Sequence, residues 1–379
     1  MSQQKIPKEL FEPSEKKTDS EGISTHSRTF MQDAMRTFFR NKQAIIALIL
    51  LLIVMIMSLV GPHMNKYGYN DQDLTRVNMP PKIKMFENIS WLGFDGTLKS
   101  TFKGETVDDA VKKATDRYNT EEEFVDVKVK DKGNGEDPAE IKATYHAYEA
   151  NDMGDTYFWL GTDKLGRDQW TRLWKGSQIS LFIAFLAAAI DLVVGVSYGG
   201  ISAYYGGRVD DIMQRIVEVL VGIPNLIVIL LMVVILKPGI LSITIALTIT
   251  GWIGMARIVR GEVLKYKQHE FVLAARTLGT RDRSIIMRHL MPNISGVIII
   301  NTMFTIPSAI FFEAFLSFIG LGIAPPAASL GTLINTGFDS LRVYPFLLLY
   351  PAIVISVIMI AFNILADGMR DAFDPKMHK

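Results

Sequence analysis

The chain has 379 residues, of which 49% are hydrophobic and 21% charged, with Lys+Arg 40 set against Asp+Glu 39. A net charge of +1 removes the whole-chain argument for a nucleic-acid binder, which needs a basic face, and the absence of Cys excludes disulfide scaffolds, thiolate metal sites and Cys nucleophiles. A mean hydropathy of +0.22 is high for a soluble enzyme and low for a chain made only of bilayer spans, so the average mixes unlike parts.

A polar segment, residues 1–40, leads into Ala44 to Pro62, a run without charge. At about 1.5 Å per residue it crosses most of a hydrocarbon core about 30 Å thick. The preceding segment lacks the short basic start of a cleaved signal peptide, so this span, placed at 41–63, is expected to be an uncleaved anchor.

Residues 64–176 form a long polar stretch with a folded insert expected at about 96–150. Thr106 and Asp109 have capping-box spacing, and Val107, Ala110, Val111, Ala114 and Tyr118 repeat at helical spacing. Residues 124–129 alternate as a strand does, and an Asp131–Gly135 turn precedes Ile141, Ala143, Tyr145 and Ala147 at a period of two. With Thr97 to Lys103 as a further strand, a β-α-β-β unit is predicted. A solvated spacer carrying a hairpin is the other reading. The segment Trp159-Leu-Gly-Thr-Asp-Lys-Leu-Gly-Arg-Asp168 closes the stretch. On its residues alone it is a membrane-surface turn, held at the interface by Arg167 and its aspartates.

Residues 177–368 carry five more apolar runs: Ile179 to Ala203, Val219 to Leu236, Pro238 to Ala256, Ile294 to Phe312 and Val343 to Ala366. Six spans is the reading, the third and fourth joined by a tight hairpin at Lys237-Pro238-Gly239. The loop before the fifth span holds Arg257, Arg260, Lys265, Lys267, Arg276, Arg281, Arg283 and Arg288, which places it and both termini, including the tail 369–379, in the cytoplasm. Asp191 is the one charge well inside a span, with Glu218 and Glu313 nearer the ends of theirs. Intramembrane charges are costly and mark candidate sites, so Asp191 is either a pathway group or an interhelical hydrogen-bonding group facing a partner subunit. Pro224, Pro307 and Pro351 interrupt spans, and Gly195 with Gly199 has the small-x-x-x-small spacing of close helix packing.

There is no Gly-x-x-x-x-Gly-Lys-Ser/Thr phosphate loop and no Gly-x-Ser-x-Gly elbow, and the six His residues are scattered. No catalytic, metal or cofactor site is therefore expected in this chain. The informative stretch is 261–293. Phe271, Ala274, Ala275 and Leu278 are predicted to share a helical face, Gly279 to end that helix in a left-handed conformation, Thr280 to cap the next, and Pro292 to mark the start of the fifth span. Small residues at the bend would let another protein approach the backbone; a solvated loop is the plainer alternative.

Ala274-Ala275, Gly279 and Pro292 resemble, spacing for spacing, the EAA loop of ABC-importer permeases. Leu273 stands in the Glu slot, and His289 and Met291 replace the Ile and Leu before Pro292. The segment Gly161-Thr162-Asp163-x-x-Gly166-Arg167-Asp168 is similar to the signature before the second span in C-type permease subunits of oligopeptide and dipeptide importers. Glu313 to Gly322 and Asp367 to Pro375 resemble the same branch. The resemblance covers residues 30–95 and 155–379, and the expanded insert looks like the Gram-positive versions.

This resemblance implies an all-α polytopic membrane protein with six helices of the type I ABC importer fold, carrying a small α+β insert between the first two. It implies a plasma-membrane subunit paired with a B-type permease, two ATPase subunits that bind ATP and Mg, and an extracytoplasmic peptide-binding lipoprotein. The EAA-like loop would dock in the ATPases, with Arg276, Arg281 and Arg283 meeting acidic groups there. A secondary transporter or channel, a receptor sensing through the insert, and a permease for nickel or a signalling peptide are the rival readings.

Overall fold

The computed structural model describes residues 30–133 and 137–373. Most of the N-terminal segment, the tip of the insert's predicted turn and the last residues of the tail, Asp374 and Pro375 included, lie outside the described residues.

Helix α1 (Phe30–Arg40) meets α2 (Lys42–Val60) at Asn41, whose side-chain oxygen accepts from the backbone N–H of Gln43 at 3.1 Å and Ala44 at 3.2 Å. That cap satisfies donors the helix start would otherwise orphan. Along α2 the buried residues are Ala44, Ala47, Leu51, Val54 and Ser58, while Ile46, Ile49, Ile53 and Ile56 are exposed. An apolar helix with one buried stripe and an exposed apolar remainder is built for a lipid surround.

The insert is the predicted β-α-β-β unit. β1 (Thr97–Gly104) leads to α3 (Val107–Tyr118), then β2 (Val125–Asp131) and β3 (Ala139–His146), in an antiparallel sheet of order β1-β3-β2. The central strand buries Ala139, Ile141, Ala143 and Tyr145, and α3 covers them with Ala110, Ala114 and Tyr118; the Tyr118 and Tyr145 rings stack at 4.7 Å. Thr106 accepts from the Asp109 N–H as expected, whereas the Asp109 carboxylate takes the Glu105 N–H. The insert is more than a tethered spacer: its core runs on through Tyr148 and Phe158 to Phe346 and Leu347.

After the short α4 (Ala147–Ala150), α5 (Gln169–Tyr205) runs 37 residues, about 55 Å at the α-helical rise. It packs along α8 (Ile240–Tyr266), where a Cβ added at Gly195 would lie 2.6 Å from the Met255 Cβ and one at Gly199 would lie 2.3 Å from the Ala256 carbonyl oxygen. Only glycine permits that approach.

The expected third span, Val219 to Leu236, is present but broken near its start. α6 (Gly207–Val221) and α7 (Asn225–Leu236) are separate helices with a 78° bend between them. Pro224 breaks the run, since it supplies no N–H and biases the residue before it away from helix. Among the described residues five helices are long and apolar enough to cross a membrane, and the bent pair makes a sixth crossing if it counts as one span.

α9 (Glu270–Thr277) follows, then α10 (Asp282–Ser284), which passes through a turn of π-helix at Ile285–Leu290 into α11 (Met291–Phe318). α12 (Leu330–Asp339), capped by Ser329 and Thr332, precedes α13 (Phe346–Phe373). Pro307 and Pro351 sit inside α11 and α13 without ending them. The main core joins α2, α5, α11, α12 and α13.

Candidate functional site

Beyond the end of α5 remote from the insert, α9 forms a small platform. Its inward residues, Val272 and Ala275, join a buried cluster with Ala203 and Tyr204 of α5, Val259 and Val263 of α8, and Ile285, Leu290 and Ile294 at the base of α11. Its outward residues are Phe271, Ala274 and Leu278, the last 85% exposed. Ala275 therefore leaves the face expected for it: it lies on the side of the stripe next to Val272 and is drawn into the cluster. Gly279 has φ +76° and ends the helix. Arg281, not Thr280, occupies the next cap position, and it makes no side-chain cap bond.

Polar links bind the platform to the helix ends. Tyr204 donates to Asp282 at 2.6 Å, with Arg276 over its ring at 5.4 Å, and the Lys267 ammonium donates to the Ala203 carbonyl at 2.7 Å. Arg276 is thus partly engaged within the chain, while Arg281 and Arg283 are exposed on the platform edge. Pro292 is exposed in the first turn of α11. A load on α9 reaches α5, α8 and α11 together, because one apolar cluster holds all of them.

At the opposite end, the residues expected at a membrane surface fold inward. Gly161, Thr162, Asp163, Gly166, Arg167 and Asp168 are all buried. Asp163 accepts from the N–H groups of Leu165 and Arg167 and pairs with the Arg167 guanidinium at 2.7 and 2.8 Å. Asp168 caps α5 through the Thr171 N–H and also accepts from Asn65, each at 2.8 Å. Burial pushes the Asp168 carboxyl above its ordinary range, opposed by those bonds. Gly161 and Gly166 have φ of +80° and +68°, and a Cβ on Gly166 would meet the Asp73 carbonyl oxygen at 1.8 Å. The signature is a knot tying the insert-side loop to the start of α5.

Between these ends, Asp191 is 6% exposed on the floor of a groove of about 310 Å³ formed by α5, α7, α8 and α11. One carboxylate oxygen is buried without a hydrogen-bond partner. It rests where α8 has Gly251, on which an added Cβ would stand 2.8 Å from it. Asp191 is surrounded by four of this chain's own helices, α5, α7, α8 and α11.

Sequence reasoning missed Glu313. It is fully buried, accepting from Ser180 and Ser317 at 2.8 Å each, while Ser180 accepts from the Leu330 N–H at the start of α12. Its place in the apolar stretch before Phe318 was the available signal. Its burial is set by α12, a helix that the apolar spans do not disclose.

The long apolar helices, the bent pair and the platform of small residues define a polytopic permease-type membrane protein. Residues 191–379 match the family described as binding-protein-dependent transport system inner membrane component, and residues 29–81 match the N-terminal transmembrane domain of oligopeptide transport permease C. The oligopeptide transport system permease protein OppC of Bacillus subtilis (strain 168) is 37% identical over 99% of this chain and 100% of that one. The dipeptide transport system permease protein DppC of Lactococcus lactis subsp. cremoris (strain MG1363) is 41% identical over 94% of each. A solved structure, an inward-facing conformation of the MetNI methionine ABC transporter, aligns over 52% of this chain and 94% of its own with 18% identity and a TM-score of 0.41. The chain belongs to the family of binding-protein-dependent transport permeases, in the branch of the oligopeptide and dipeptide permease C proteins.

Proposed function

We propose that this chain is the C-type permease subunit of an ATP-driven importer carrying oligopeptides or dipeptides inward across the plasma membrane of a Gram-positive bacterium. The names of its relatives support the substrate class. Its partners are a B-type permease, two ATPase subunits that hold ATP and Mg, and a peptide-binding lipoprotein on the insert side. The termini and α9 lie in the cytoplasm, where the basic loop residues favour them.

The observation that carries the coupling role is the α9 platform: an exposed Phe271, Ala274 and Leu278 face on a helix whose other side is locked into α5, α8 and α11. An ATPase groove that closes around this face moves those helices as a unit, and closure becomes rotation of the spans. Val219, Val234 and Leu241, each at least 67% exposed, leave apolar surface for lipid and the B-type subunit.

The test is uptake of labelled peptide into proteoliposomes holding the full complex. Uptake that needs ATP, the ATPase pair and the binding protein supports the reading. Uptake by this chain alone, without nucleotide, contradicts it.

A further inference from the structure

The groove around Asp191 is a built site. Its polar lining is Asn225 of α7, Thr250 of α8, and Asn301, Thr305 and Ser308 of α11, with Asp191 as its single charged group and no cationic side chain among the residues that form it. Phe304 and Phe312 add apolar wall beside them. Asp191 itself forms no hydrogen bond with the described residues, and its 6% exposure makes an unpartnered carboxylate there expensive. Gly251 clears the space the carboxylate occupies, so its position is accommodated by the packing of α8 and not forced outward.

We propose that Asp191 receives the free α-amino group of the transported peptide, with the Asn225 and Asn301 amides and the nearby hydroxyls available to its first backbone groups. This rests on the peptide reading above. An ammonium supplies both the charge and the N–H donors that the carboxylate lacks. Arg257 lines an adjoining cavity that shares Asn225, Thr250 and Gly254 with the groove, but Asp191 is the charge in the groove itself, so the amino end is the end received there. A groove of this size takes the head of a peptide and leaves the remainder outside it, which makes the contact independent of peptide length.

The experiment compares uptake of one labelled peptide and its N-acetylated form by the complete reconstituted importer, with binding protein saturated by either. The ratio of free to acetylated uptake is the readout, because selection by the binding protein then cancels between variants. Asp191→Asn is expected to lower the ratio about tenfold, the scale of one charge-assisted contact. Gly251→Ala keeps the carboxylate but displaces it, and is expected to lower the ratio in the same direction by less. If Asp191→Asn fails to accumulate, Gly251→Ala decides. An unchanged ratio in the variants that accumulate overturns the proposal, as does an equal loss of both peptides. Absence of peptide uptake by the unmodified complex removes the peptide reading itself, and this inference with it.

Discussion

Asp210 and Arg260 face each other through two parallel bonds, Nε to Oδ1 at 2.7 Å and Nη2 to Oδ2 at 2.6 Å, which clamp α6 to the end of α8. Ser202 of α5 donates to the same carboxylate, so three helix segments converge on one residue beside the α9 platform. Asp210→Ala is expected to lower stability by about 2 kcal/mol, the range for bonds to charged groups, and to leave Arg260 half-buried without its fork partner. Apparent melting in detergent measures this. The charge-reversed pair Asp210→Arg with Arg260→Asp should recover part of the loss, which neither single variant does.

The knot before α5 makes a sharper demand. Gly166→Ala adds a Cβ against the Asp73 carbonyl oxygen at a residue of φ +68°, whereas Gly93→Ala, at φ +72°, has nothing within 4 Å. Both carry the left-handed penalty of about 1–2 kcal/mol, and the first adds a backbone clash. Membrane abundance should fall steeply for Gly166→Ala and little for Gly93→Ala; equal abundance would contradict the packing described.

The insert should loosen in acid. Lys113 holds the Asp109 carboxyl below its ordinary value, and Lys130 does the same for Glu140. A depressed carboxylate adds stability that is present above its unfolded value, about pH 4, and is lost as pH falls through the depressed one. Hydrogen exchange of α3 and β3 amides in the full chain, corrected for intrinsic rate, should quicken at pH 3 relative to pH 7.

Gly279 separates backbone from surface. Its φ of +76° is open to Asn and Asp as well as Gly, and a side chain there meets nothing within 4 Å. Gly279→Asn is therefore expected to transport near normally. Gly279→Asp inserts normally, puts a charge on the docking face and uncouples peptide uptake from ATP hydrolysis, with uptake down about tenfold or more. Normal uptake by Gly279→Asp at normal abundance would sink the coupling role.

What the residues disclosed in advance were features with a local cause. Ala110, Ala114 and Tyr118 repeat at helical spacing and cover the sheet; Gly279 turns left-handed because no Cβ forbids it; Gly195 and Gly199 meet α8. What they withheld depends on neighbours distant in sequence. Ala275 could not be assigned inward until α5 and α11 supplied the cluster that takes it. Arg260 was visible only as one of several basic residues, since its partner Asp210 lies 50 residues away. Glu313 owes its burial to α12, and Thr162 is buried because the loop after α2 folds over it, its hydroxyl accepting from the Met79 N–H and donating to the Arg76 carbonyl. The bend at Pro224 was readable as an interruption but not as an angle.

The central claim is that Phe271, Ala274 and Leu278 form the surface an ATPase covers. The chain contains no Cys, so Leu278→Cys introduces a single thiol at a site 85% exposed in this subunit. Its labelling by a water-soluble maleimide, with and without the ATPase pair bound, is the direct measurement. The account predicts rapid labelling of the permease pair alone and strong protection in the full complex; equal labelling in both would contradict it.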